Sequence, residues 1–78
     1  MLVEFIEAAM NRASYEKLDT GDYYGEIPAC PGVWASGKTL EKCRHELQEV
    51  LEDWLLLKLR DGDKLPVIAR INLNLGRA

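Results

Sequence analysis

The chain has 78 residues, 47% of them hydrophobic, and a formal net charge of −3. That length predicts one small domain over residues 1–78, with a thin core and apolar surface left over for a homo-oligomer or a tight partner. The acidic balance weighs against non-specific nucleic-acid binding, which needs a basic face, and favours a basic protein partner.

Leu2, Phe5, Ile6, Ala9, Met10 and Ala13 recur at helical spacing, with Glu4, Glu7, Asn11 and Arg12 on the other side, which predicts a short amphipathic helix over 2–12. Residues 14–18 read as a strand, followed by the turn cluster Asp19-Thr20-Gly21-Asp22 and a second strand from Tyr23 to Ile27. On that second arm Tyr23, Gly25 and Ile27 share one face, and Tyr24, Glu26 and Pro28 the other. The Ile27 face is expected to pack on a helix. Pro28 ends the strand, Pro31-Gly32 has the chemistry of a tight turn, and Val33-Trp34-Ala35 restarts a strand.

Thr39 is placed to cap a long helix from about Leu40 to Arg60. Its apolar stripe comprises Leu40, Cys43, Leu47, Val50, Leu51, Trp54, Leu55 and Leu57, opposite Glu41, Lys42, Arg44, Glu46, Glu49, Glu52 and Asp53. The stripe broadens toward Leu55, Leu56, Leu57 and Leu59 beyond what one small sheet needs. Two readings of the excess stay open: a subunit contact through Trp54, Leu56, Leu59 and Ile71, or cover by the N-terminal helix. Gly62 is the expected left-handed stop, and Pro66 confirms the break. Alternation of Val67, Ala69, Ile71, Leu73 and Leu75 with Ile68, Arg70, Asn72 and Asn74 predicts a final half-buried strand at a sheet edge.

Cys30 and Cys43 do not make a disulfide framework and read as reduced thiols. Glu4 and Glu7 interrupt the first apolar face, no basic stretch precedes it, and no run approaches the roughly 18 apolar residues of a membrane span. A cytoplasmic location is expected.

Residues able to carry chemistry are present but isolated. His45 has Glu41 and Glu49 four residues to either side, yet it lies on the charged side of the helix with no serine or cysteine placed as its nucleophile. Glu26 lacks a second acid at a fixed spacing. Gly21, Gly25, Gly32 and Gly37 are too scattered for a phosphate loop, and the aromatics are not interleaved with basic residues apart from Lys38. Trp34 and Trp54 read as core or interface anchors. No enzyme, cofactor or metal site is expected, and the exposed Tyr24–Glu26 strand face is the candidate for binding.

The set Tyr23-Tyr24-Gly25-Glu26-Ile27-Pro28, Pro31-Gly32-Val33-Trp34-Ala35, Gly37-Lys38-Thr39-Leu40-Glu41 and the acidic helix Glu46 to Trp54 resembles the HicB-like antitoxin family over roughly residues 14–66. The resemblance implies an α+β fold like a partial ribonuclease H: a three-stranded antiparallel sheet packed on one long helix, with a further strand. It also implies no catalysis, dimers or tetramers, and a function of binding and masking a small basic RNA-cleaving toxin of the HicA type. Tyr24, Glu26 and Pro31 are then the first candidates for toxin contact, with Glu49 and Asp53 the second. The chain departs from the family in three ways. Lys42 stands where a glutamate often completes the capping box, a helix precedes the usual domain start, and 78 residues leave no room for the C-terminal DNA-binding module many members carry. DNA binding is therefore not expected. The competing reading is a stand-alone oligomeric domain of metabolic role that binds a small ligand on the Tyr24–Glu26 face.

Overall fold

A computed structural model describes residues 2–68, 70 and 71. Helix α1 spans Leu2–Asn11 and buries Phe5, Ala9 and Met10, the middle of the predicted stripe. Three strands follow, β1 (Ser14–Lys17), β2 (Tyr23–Glu26) and β3 (Trp34–Gly37), and then the long helix α2 (Leu40–Asp61). The strands form one antiparallel sheet in the order β1-β2-β3. The fold class is α+β, with the N-terminal helix, the three-stranded sheet and the one long helix that the sequence leads one to expect.

The β1–β2 hairpin closes where the Leu18 amide donates to the Asp22 carbonyl at 2.7 Å and the Gly21 amide donates to the Leu18 carbonyl at 2.9 Å. The β2–β3 connection holds two turns in series. Cys30 N–H donates to the Ile27 carbonyl, and Val33 N–H donates to the Cys30 carbonyl across Pro31-Gly32. Gly32 sits at φ 93, a conformation any larger side chain would resist, as the third residue of a type II turn requires. Ile27 N–H still donates to the Val33 carbonyl, so pairing runs one residue past the named strands. The third strand starts one residue later than Val33 and extends to Gly37.

Helix α2 begins as its cap predicts. Thr39 is extended, its hydroxyl accepts from the Lys42 amide at 3.0 Å, and its carbonyl accepts the first helical bond from Cys43 at 2.9 Å. At the far end Gly62 at φ 73 donates to the Leu59 carbonyl and Asp63 N–H donates to Lys58, the paired bonds of a Schellman stop. Cys43, Leu47, Leu51 and Leu55 are the buried line of α2. The three leucines share one core with Ile27, Cys30, Val33 and Ala35 from the sheet side and Phe5, Ala9 and Met10 from α1, and Cys43 packs at Ala35.

Helix α2 has 22 residues and is about 33 Å long, whereas four-residue strands reach only about 13 Å. Its C-terminal half therefore overhangs the sheet. Helix α1 and the residues after Gly62 supply the cover there, with Leu65 and Ile68 buried. The cover is partial. Leu56 is 63% exposed, Leu57 50% and Leu59 44%, so α1 covers one flank of the broad apolar end and leaves the rest open. Leu40, expected in the stripe, is 47% exposed.

The predicted final strand is not what the described residues form. Ile68 and Ile71 exchange both backbone hydrogen bonds, at 3.2 and 2.8 Å, so the chain reverses between them, with Arg70 at φ 66. At the first two positions the phase is inverted, with Ile68 buried and Val67 exposed, while Ile71 is half-buried against the core. In Val67-Ile68 both alternating faces are apolar, so a period of two cannot choose between them. Leu65 and Ile68 go in together, three residues apart. Residues 69 and 72–75 of that predicted strand lie outside the described residues.

Gly37 is where β3 meets the start of α2. A Cβ placed there would lie 2.6 Å from the Cys43 amide nitrogen and 3.0 Å from its Cα. Both obstacles are backbone, so no rotamer change relieves them. Gly37→Ala is predicted to lower the unfolding free energy by about 1–3 kcal/mol in urea denaturation, the usual overpacking range. Ser36→Ala, on the exposed side, should change it by less than about 0.5 kcal/mol. Equal effects of the two substitutions would contradict the close approach.

Candidate protein-interaction face

Strand pleating divides the sheet residues cleanly. Tyr15, Tyr23, Gly25 and Ala35 turn toward α2, and a Cβ on Gly25 would meet the Tyr15 ring at 2.7 Å and Cys43 Sγ at 3.2 Å. The opposite side carries two cross-strand rows set by the register: Ser14, Glu26 and Trp34, then Glu16, Tyr24 and Ser36. Tyr24 is half-buried and the other five are exposed.

These residues interact with one another. Tyr24 Oη donates to Glu26 Oε1 at 3.0 Å, along one strand face. Tyr24 also stacks on Trp34 diagonally across β2 and β3, with ring centroids 6.0 Å apart and planes at 29°. Trp34 nonetheless stays 56% exposed. The hydrogen bond to Glu26 raises the Tyr24 phenol above its ordinary value, because an ionised phenol would face a carboxylate instead of donating to it. The six positions hold two carboxylates and no cation.

Of the other residues singled out from the sequence, Pro31 is exposed in the turn beyond β2. Glu49 and Asp53 are exposed on α2, which covers the other face of the sheet, so they do not join Tyr24 and Glu26 in one surface. Glu49 lies 3.2 Å from His45 Nε2, in an exposed pair of a kind worth little in water. Leu56 and Leu59 line a shallow groove of about 210 Å³ with Leu2, Ile6, Glu52 and Leu55. Trp54 is half-buried against the core, with the Lys58 ammonium 5.7 Å from its ring centre. Trp54 and Leu56 are two residues apart, about 200° around a helix, so they belong to different flanks. Ile71 is half-buried against the core. Two members of the open face were not singled out from the sequence as binding residues together with Tyr24: Glu16, directly opposite it on β1, and Trp34.

Both thiols are buried and free. Cys43 Sγ donates to the Ala35 carbonyl at 3.6 Å, and burial raises its pKa. Burial pushes the Cys30 thiol up to about 11. Among the described residues, no three His, Cys, Asp or Glu side chains could hold a metal ion, and no helix is long and apolar enough to cross a membrane.

The fold and this face define a class: a small two-layer domain with one sheet face packed on a helix and the other open. The chain belongs to the UPF0150-like family, whose model matches residues 4–66. Among solved structures it is similar to the crystal structure of TTHA0281 from Thermus thermophilus. The two are 47% identical, with a TM-score of 0.89 over 95% of this chain and 93% of that one. No curated protein matches the chain.

The buried thiol gives a signed pH dependence. The folded pKa of Cys30 is about 11 against an ordinary 9.0, so its contribution is intact below pH 9.0 and is lost as pH rises through about 11. In the native protein at pH 8, Cys30 should resist iodoacetamide, with alkylation following unfolding in urea. Fast modification of the folded protein would contradict its burial.

Proposed function

We propose that the chain is a HicB-like antitoxin domain with a partial ribonuclease H-like fold, which binds and masks a small basic HicA-type RNA-cleaving toxin in the cytoplasm and has no catalysis of its own. The observation that carries this reading is the open sheet face, an aromatic pair flanked by Glu16 and Glu26 with no cation among its outward residues. Such a face is complementary to a basic protein. The net charge of −3 adds long-range attraction that speeds encounter. The motif set from Tyr23 to Trp54 and membership of the UPF0150-like family support the same reading. The Leu56–Leu59 groove beside α1 serves as the homo-oligomer contact, leaving the sheet face to the toxin.

The test is co-expression of the chain with the product of the adjacent gene. A stable complex with a small basic protein that loses its RNA cleavage supports the proposal, and no complex, or an unrelated neighbour, overturns it. Within a complex, Glu26→Lys should weaken binding by at least about tenfold, as expected for a charge desolvated in an interface. Glu4→Lys, remote on α1, should leave affinity within about threefold, as for a rim charge. Equal losses would remove the sheet face from the interface.

A further inference from the structure

We infer that the open sheet face is an arginine-binding clamp, in which Trp34 and Tyr24 supply a stacking floor and Glu16 and Glu26 the carboxylates that receive a guanidinium carried on a basic protein segment. This rests on the interaction-domain reading above and names the group that is recognised.

The register builds the clamp. Glu26 is directly opposite Trp34 on β3, and Glu16 is directly opposite Tyr24 on β1. Directly opposed side chains have Cβ atoms about 4.5–5.5 Å apart, so each carboxylate begins beside an aromatic ring. Glu16 and Glu26 are diagonal neighbours across β1 and β2, about 7–8 Å apart at their backbones. Two like charges at that spacing favour a cation between them. The Tyr24 hydroxyl occupies one side of Glu26 Oε1 and so orients the carboxylate, leaving Oε2 to accept. Trp34, 56% exposed, has ring surface left after its stack on Tyr24.

The chemistry selects the ligand. Stacked aromatics also suit nucleobases, but a base platform needs cations for the phosphates, and this face carries carboxylates instead. A guanidinium is planar, stacks on indole, pairs with carboxylates through parallel N–H donors and sheds water more easily than an ammonium. Lysine can satisfy the charge and not the plane.

The experiment has two arms. In the first, the ¹⁵N-labelled chain is titrated with nona-arginine and nona-lysine peptides and followed by NMR. Saturable shifts centred on Trp34, its indole N–H, Glu16 and Glu26 are expected, with the lysine peptide at least about fivefold weaker and the Trp34→Ala chain at least about tenfold weaker. Shifts centred on Glu49 and Asp53, or equal binding of the two peptides, would overturn the clamp. In the second arm, the complex with the adjacent gene's product is challenged with Trp34→Ala and with Glu16→Gln/Glu26→Gln. Each variant is first shown by circular dichroism to unfold at the parent temperature. At least about tenfold loss is expected for each, and undiminished binding overturns the clamp while leaving the antitoxin reading intact. If no complex forms, the antitoxin reading fails and the peptide arm alone decides the clamp.

Discussion

The approach of β3 to the first turn of α2 is the constraint on which the rest depends. Only Lys38 and Thr39 separate the strand from the helix, and Gly37 leaves no side chain between the two backbones. The Thr39 cap fixes where the helix begins, and the bare Gly37 lets Cys43 reach the sheet. Gly25 accommodates the same helix one strand further in, where Cys43 Sγ and the Tyr15 ring fill the place of a side chain. Leu47, Leu51 and Leu55 then follow at intervals of four residues along the buried line. A larger residue at Gly37 would push on backbone, which cannot yield as a side-chain tip can.

The same contact decides which face of the sheet is free. Helix α2 takes the side of Gly25 and Ala35, and pleating sends Glu16, Tyr24, Glu26 and Trp34 to the other side. Covering one face leaves the other open. Substitutions on an exposed face cost little stability, whereas truncating a core leucine such as Leu51 costs about 2–5 kcal/mol. The binding proposed for the open face and the folding of the domain thus call on different residues, so the first can be tested without loss of the second. The apolar overhang of α2 is a separate surface, formed because the helix outruns the strands.

Much of this was legible in the sequence because several signals agree. The apolar period of α1 and α2, the Thr39 hydroxyl and the Gly62 stop each have one local physical cause, and the structure places those elements accordingly. The strand face shared by Gly25 and Ile27 follows from pleating alone. The register of β3 was harder to read. A lone Pro31-Gly32 hairpin turn would pair Ala29 with Trp34, but the additional turn from Ile27 to Cys30 shifts the partner of Trp34 to Glu26. That shift brings Trp34 onto Tyr24, so the aromatic pair depends on a contact between segments that local pattern does not encode. The width of the helix stripe was illegible for a similar reason. Leu40 keeps the period yet is 47% exposed in the first turn, and Leu57 stands about 200° around the helix from buried Leu55, on the side away from the core. At Val67 and Ile68 both phases are apolar, and the core selected the one that buries Ile68 with Leu65.

The central claim is that the open sheet face, and not the helix side, receives the partner. The two tryptophans, Trp34 and Trp54, report on one surface each. The direct measurement is ¹⁹F NMR of the chain labelled with 5-fluorotryptophan, with and without the unlabelled product of the adjacent gene. The account predicts that the Trp34 resonance shifts and loses its H₂O/D₂O sensitivity on binding while that of Trp54 stays in place. A complex that moves Trp54 and leaves Trp34 as solvent-exposed as before would contradict it.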